Sequence, residues 1–202
     1  MQAMSGTQFG IFLDLKPYGP IAAPWPLAKC PANGFVLYKP KFSKAELAKL
    51  KPYVASAEYR TLGANHTDYY LAARLARVAG EPAVTIAQLL LRATWEAGPQ
   101  EDEQGKVKVD TQRYAQYAGE ALDAFKAVLA QPADVPEQWQ TDQLVALELE
   151  RRLGRFEEAQ ARLDALAGRT EFASGTMHTI VELQRKLIAA RDNQPKQVPE
   201  EQ

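Results

Sequence analysis

The chain has 202 residues, 46% of them hydrophobic and 24% charged, which is enough for one ordinary domain, or a domain with a small appendage, to bury its own core. Its 24 basic and 25 acidic side chains are mixed throughout, so a net charge of −1 gives no electrostatic footprint for nucleic acid or an anionic membrane. Cys30 is the only cysteine, which excludes an internal disulfide and an all-cysteine metal site within one chain.

Met1 to Gly10 has no basic start followed by an apolar run, so no secretory signal is legible. The longest strongly apolar stretch, Ile86 to Leu91, is far shorter than the roughly 20 residues of a membrane helix. A soluble cytoplasmic protein is expected, or a periplasmic one if an export signal has been trimmed ahead of Met1-Gln2-Ala3-Met4. Six of the 13 prolines (Pro17, Pro20, Pro24, Pro26, Pro31 and Pro40) precede Phe42, a density that no helix interior tolerates. Within this stretch Phe9 to Leu15 and Phe35 to Lys39 are aromatic or aliphatic and bounded by Gly and Pro, which predicts two strands around an extended loop. Two strands alone are marginal, so residues 1–42 read as an appendage that must pack on helices.

At Ser43 the character changes. Ser43-Lys44-Ala45-Glu46 is a capping box, in which the serine oxygen and the glutamate carboxylate satisfy backbone N–H groups at a helix start. Leu47 and Leu50 face inwards, Pro52 is expected to interrupt this helix, and Ser56 to Leu62 forms another that stops at Gly63. Asn65 or Thr67 caps a helix from Asp68 to Ala79, where Ala72, Ala73, Ala76 and Ala79 let a neighbouring backbone approach closely. Gly80 ends it, and Pro82 suits the first turn of the next, Ala83 to Ala97, whose apolar centre belongs between other helices. Gly98 to Val109 has no periodicity and reads as an exposed loop. Its acidic run, Glu101-Asp102-Glu103, lacks the alternating ligand spacing of a calcium loop.

Tyr114, Tyr117, Ala121, Phe125 and Val128 recur every three or four residues, so Thr111 to Ala130 is a long amphipathic helix stopped by Pro132. Gln138 to Leu153 follows, with Val145, Leu149 and Leu153 aligned. Gly154 permits a left-handed turn, and Phe156, Ala159, Leu163 and Leu166 share one face of a helix from Phe156 to Ala167. Thr176 to Arg191 is the last helix, and the residues from Asn193 read as frayed. The pair around Gly154 has the helix-turn-helix form of a tetratricopeptide unit. Gly80 holds the same place in the pair Asp68–Ala79 and Ala83–Ala97, at about twice the roughly 34-residue period of a regular array. The expected fold is mainly α: a degenerate tetratricopeptide-like antiparallel helical array over residues 43–192. It follows a Pro-rich β-hairpin-like appendage (1–42) and precedes a flexible tail (193–202).

Little in the chain points to chemistry. His66 and His178 are far apart and in no ligand spacing, and both lie at helix starts, where surface or capping roles suffice. Glu148, Glu150, Glu157 and Glu158 lie among Arg151, Arg152 and Arg155, so exposed ion pairing accounts for them. No phosphate loop or dinucleotide fingerprint is present. No catalytic residue, metal ligand or cofactor is therefore expected. The candidates for binding are aromatic anchors and arginine forks on the helices that would line a groove. These are Tyr69, Tyr70, Arg74, Arg92, Trp95, Tyr114, Tyr117 and Trp139, with Arg77 as a further fork.

Cys30-Pro31-Ala32-Asn33-Gly34-Phe35-Val36, then Phe42-Ser43, Leu50-Lys51-Pro52-Tyr53-Val54, Tyr69-Tyr70-Leu71-Ala72-Ala73 and Arg92-Ala93-Thr94-Trp95-Glu96, resemble in order and content the bacterial domain-of-unknown-function 2225 family. The resemblance implies a zinc-ribbon start, two Cys-Pro-x-Cys-Gly knuckles, joined to a tetratricopeptide-like array. Here Cys30 matches the first cysteine of the second knuckle, Asn33 replaces the second, and no first knuckle is present, so the ribbon is expected to be either degenerate or truncated at its N-terminus, and Cys30 reads as a buried small hydrophobe. The family brings no activity with it. The function expected is a non-catalytic scaffold that binds a protein or peptide in the groove of its helices. Two alternatives stand beside it: a metal-binding or redox module completed by an upstream cysteine pair or a second subunit, and an enzyme of unrecognised type with a pocket near Tyr69, Arg92 and Trp95.

Overall fold

The computed structural model describes residues 7–101, 107–132 and 135–199. The segment before Ser43 holds two hairpins: β1 (Gly10–Ile11) pairs antiparallel with β2 (Pro17–Tyr18), and β3 (Ala28–Lys29) with β4 (Val36–Leu37). The strand expected over Phe9 to Leu15 instead turns back on itself. Leu15 adopts φ 65°, the Asp14 carboxylate accepts the Lys16 N–H at 3.1 Å, and the Phe12 N–H reaches the Lys16 carbonyl at 2.8 Å.

Then come α1 (Lys44–Ala55), α2 (Ala57–Asn65), α3 (Asp68–Ala79), α4 (Ala83–Ala97), β5 (Gln100–Glu101), β6 (Val107–Lys108), α5 (Thr111–Leu129), α6 (Pro136–Arg152), α7 (Phe156–Ala167), a single 3-10 turn at Thr170–Phe172 and α8 (Gly175–Ala189). The described residues are thus mainly α, with eight antiparallel-packed helices following the small hairpins. The capping box is made as read: Ser43 Oγ accepts the Glu46 N–H at 3.2 Å, and Glu46 Oε2 accepts the Ser43 N–H at 2.7 Å.

Pro52 and Gly63 do not end helices. Pro52 sits exposed in the last turn of α1, between the buried anchors Leu50 and Val54, so packing carries the helix past the missing N–H. Gly63 lies inside α2, which ends at His66 once the backbone becomes extended. The segment read as an irregular loop contains the pair β5–β6, with Gln100 opposite Lys108; Asp102 and Glu103 lie outside the described residues, as do Met1 to Gly6.

Two compact units divide the chain, and the division falls within α5. In the unit Pro24–Ala124, α3 packs against α4 and α1. Leu71, Ala72, Ala73, Leu75 and Ala76 are wholly buried, the alanines providing the close helix approach their size predicts. Gly80, at φ 86°, ends α3 by donating to Ala76 and Arg77 carbonyls while Glu81 N–H also returns to Ala76.

The other unit joins Met1–Ala23 to Phe125–Gln202. Leu13 shares its core with Leu147 of α6, Leu163 of α7, and Val181 and Ile188 of α8. Gly154, at φ 73°, makes the same kind of stop as Gly80, with Arg155 N–H returning to the Glu150 carbonyl at 2.9 Å. The tail expected to fray pairs with the first hairpin instead: Leu13 N–H donates to Lys196 and Val198 N–H to Ile11, each at 2.9 Å.

Beneath that tail lies a charge network that the sequence reading took for solvated pairs. Arg151 is fully buried and donates through Nε and Nη2 to the Glu148 carboxylate at 2.7–3.0 Å, through Nη1 to the Asp192 carbonyl and through Nη2 to the Gln194 carbonyl at 3.0 Å. Gln184 of α8 donates to Glu148 Oε2 at 2.8 Å. Glu150 is also buried, gripped by Arg162 of α7 through two bonds of 2.8 Å. The tail supplies carbonyls to a buried guanidinium, which is why it is ordered.

Candidate functional site

In the unit Pro24–Ala124 the sequence Pro24-Trp25-Pro26 sets the geometry. Both proline rings fix their own φ, and Pro26 keeps Trp25 extended, so this residue cannot fold into a helix and hide its ring. The Trp25 side chain is 55% exposed. Its carbonyl accepts the Tyr69 hydroxyl at 2.9 Å, which pins the backbone while leaving the indole outside.

Tyr69 opens α3 with its ring buried, and its N–H donates to Glu96 Oε2 in the last turn of α4 at 3.0 Å. One turn earlier on α4, Arg92 Nη1 donates to the Gln88 carbonyl at 3.1 Å, and the guanidinium lies 5.8 Å from the centre of the Trp95 ring. Burial raises the Tyr69 hydroxyl above its ordinary pKa, while the positive charge of Arg92 acts on it in the opposite direction, so the two groups are electrostatic neighbours. Among the described residues Arg92 makes no ion pair. Asp68 is taken by Lys29 at 2.8 Å, and Glu96 is half-buried, with its pKa raised by that burial.

The other aromatic candidates of this unit lie in a separate, internally closed cluster. Tyr70 stacks on His66 at 4.3 Å and on Tyr117 at 4.5 Å between ring centres. The Tyr70 hydroxyl donates to Glu120 at 2.6 Å and accepts from Gln116 at 3.0 Å, and Glu120 is held by Arg77 at 2.9 Å. The Tyr117 hydroxyl accepts the Thr67 N–H at 3.2 Å and shares a hydrogen bond of 3.0 Å with His66 Nδ1. Burial, reinforced by the Glu120 carboxylate, pushes the Tyr70 hydroxyl up to about 12. Burial also raises Tyr117, and it lowers His66 together with the nearby Arg113. Phenolate is therefore disfavoured at both tyrosines, and protonation of the His66 imidazole is disfavoured as well.

Of the eight sequence candidates, Arg92 and Trp95 are brought together on α4, and Tyr69, whose hydroxyl holds the Trp25 carbonyl, feels the charge of Arg92. Tyr70 and Tyr117 are stacked in the cluster. Arg74, half-buried, faces Glu58 at 3.4 Å, and Tyr114 is buried at 7% exposure. Trp139 belongs to the other unit, half-buried near Phe172 at 6.5 Å and covered by the Arg169 guanidinium at 4.4 Å. It borders an open cleft of about 470 Å³ in which Arg162 and Glu150 are already paired. Five of the eight (Tyr69, Tyr70, Trp95, Tyr114 and Tyr117) are buried, because their spacing also places them on the inner faces of α3, α4 and α5. Trp25 is the residue that sequence reasoning missed; its signal was a tryptophan held between two prolines.

Cys30 occupies the β3–β4 turn, half-buried rather than enclosed. Its N–H donates to the Phe35 carbonyl at 2.8 Å, Gly34 N–H returns to Cys30 at 2.8 Å, and Gly34 takes φ 72°. Asn33 Oδ1 accepts the Phe35 N–H at 3.0 Å, so it closes the turn locally where a second thiolate would stand in a knuckle. Among the described residues no group of three or more His, Cys, Asp or Glu side chains is placed to hold a metal ion, and no helix is long and apolar enough to cross a membrane.

Compared with protein-family models, with curated proteins and with solved structures, the chain finds no match.

Proposed function

We propose that this chain is a non-catalytic scaffold that binds a protein or peptide, its helix pairs being degenerate tetratricopeptide-like units and its recognition face lying around Trp25, Tyr69, Arg92 and Trp95. One observation carries the reading: a tryptophan side chain is 55% exposed on a backbone fixed by two prolines and by the Tyr69 hydroxyl. An aromatic anchor ordered before binding loses little conformational freedom when a partner covers it, and such anchors dominate interface energetics. The ribbon-like start serves in this reading as a turn closed by Asn33, which positions β3 and β4 without metal.

The test is binding of an immobilised peptide array to the full chain and to Trp25→Ala, with far-UV circular dichroism to verify the fold of both. Peptides that bind the parent chain and lose at least tenfold in affinity for the Trp25→Ala protein support the scaffold. A set of binders indifferent to Trp25 overturns this face as the recognition surface.

A further inference from the structure

Resting on that reading, the geometry points to the partner: we infer that the Trp25 face takes an extended protein segment in which an aspartate or glutamate side chain stands close to an apolar one. The apolar side chain would lie against Trp25, and the carboxylate would engage Arg92.

The argument begins with Arg92. Its Nη1 is committed to the Gln88 carbonyl one turn back, and its guanidinium lies beside the Trp95 ring, so the plane of the fork is set by its own helix. A guanidinium carries five N–H donors in fixed directions, and a planar carboxylate satisfies two of them at once. Among the described residues no carboxylate is within ion-pair distance of Arg92. The acids nearby are in use: Asp68 holds Lys29, and Glu96 accepts the Tyr69 N–H from a half-buried position. Among the described residues Arg92 therefore has no ion-pair partner, and its charge acts on the tyrosine that holds the Trp25 carbonyl.

The pattern contrasts with the neighbouring arginines. Arg77 is spent on Glu120 and Arg113 on Asp110, whereas Arg92 acts on the tyrosine whose hydroxyl holds the Trp25 backbone. The carboxylate is assigned to an Asp or Glu side chain rather than to a chain terminus, because capture of a terminal carboxylate ordinarily uses a nest of free backbone N–H groups. At Arg92 the backbone is mid-helix, with its N–H groups spent on the helix itself.

The experiment uses fluorescein-labelled peptides in matched pairs. Each has a central Leu, Phe or Trp and, one to four residues away, either Asp or Glu in one twin and Asn or Gln in the other. Their affinities are measured by fluorescence anisotropy for the full chain, Trp25→Ala and Arg92→Gln. We expect the acidic twin to bind at least tenfold more tightly than the amide twin, with the preference shrinking as salt rises and disappearing in Arg92→Gln. Amidating the peptide C-terminus should leave the preference intact. Equal binding of the twins, or an acidic preference that survives Arg92→Gln, overturns the inference. If binding still requires Trp25 in that case, the scaffold reading stands alone. If neither twin binds in a Trp25-dependent way, both fall.

Discussion

Arg92 in the unit Pro24–Ala124 and Arg151 in the other unit are the same side chain in opposite settings. Arg92 spends one N–H on its own helix, has no ion-pair partner among the described residues, and acts on the tyrosine that holds the backbone of an exposed tryptophan. Arg151 is enclosed, with a glutamate bound through Nε and Nη2 and two tail carbonyls accepting from Nη1 and Nη2, so that each of its nitrogens is engaged. A buried charge persists when it is paired and hydrogen-bonded, as Arg151 is at each nitrogen, so Arg151 belongs to the architecture. A charge with donors to spare beside an apolar anchor is available to something else.

The largest effect that would sharpen this contrast is Arg151→Met, which leaves Glu148 buried without its cation. At about pH 8 the loss should be about 3–5 kcal/mol in urea denaturation, with the tail from Asp192 to Val198 losing hydrogen-exchange protection. A loss below about 1 kcal/mol would break the comparison. Arg92→Gln, by contrast, should shift stability by no more than about 0.5 kcal/mol.

The pH dependence of that network comes next. Burial outweighs the attraction of Arg151 and the hydrogen bond from Gln184, and pushes the Glu148 carboxyl up to about 7 from an ordinary 4.5. Because the folded value lies above the unfolded one, the stabilising contribution is complete below pH 4.5 and is lost as the pH rises through about 7. Asp14, raised by burial, acts with the same sign. Stability should fall by roughly 2–3 kcal/mol between about pH 5 and pH 8, and Glu148→Gln should flatten most of that slope. A parent chain whose stability rises over the same window would contradict the assignment.

Two glycines probe the framework. Gly154 sits at φ 73°, and a would-be Cβ there meets only an ordinary contact with the Phe156 ring at 3.9 Å, so Gly154→Ala should cost about 1–2 kcal/mol from backbone strain. Gly119 lies within α5 at an ordinary helical position with nothing near it, and Gly119→Ala should stabilise by up to about 1 kcal/mol. Paired thermal melts of the two variants distinguish a turn requirement from a general intolerance of alanine. Trp25→Ala, like Arg92→Gln, should shift stability by no more than about 0.5 kcal/mol, although this variant should lose the most binding.

Much of the helical framework was legible. The capping box at Ser43 and Glu46, the alanines of α3, and the stops at Gly80 and Gly154 each rest on local chemistry that a single segment expresses by itself. Pro52 and Gly63 misled, since tertiary burial of Leu50, Val54 and Tyr59 overrides a local breaker. The candidate site was half legible. Tyr69, Arg92 and Trp95 were named from aromatic and arginine content, but the same 3.6-residue spacing describes a core face and a binding face, and so Tyr70, Tyr114 and Tyr117 were named with them.

The sequence by itself determined where the helices lie and which glycines separate them, because capping, periodicity and positive φ depend on residues a few positions apart. Only the tertiary structure decided which charges are enclosed, that residues 196–198 pair with the first hairpin, and that Trp25 rather than Tyr70 faces solvent. Those outcomes turn on contacts between residues tens to well over a hundred positions apart. Burial is a property of what arrives from elsewhere in the chain, and no local pattern contains it.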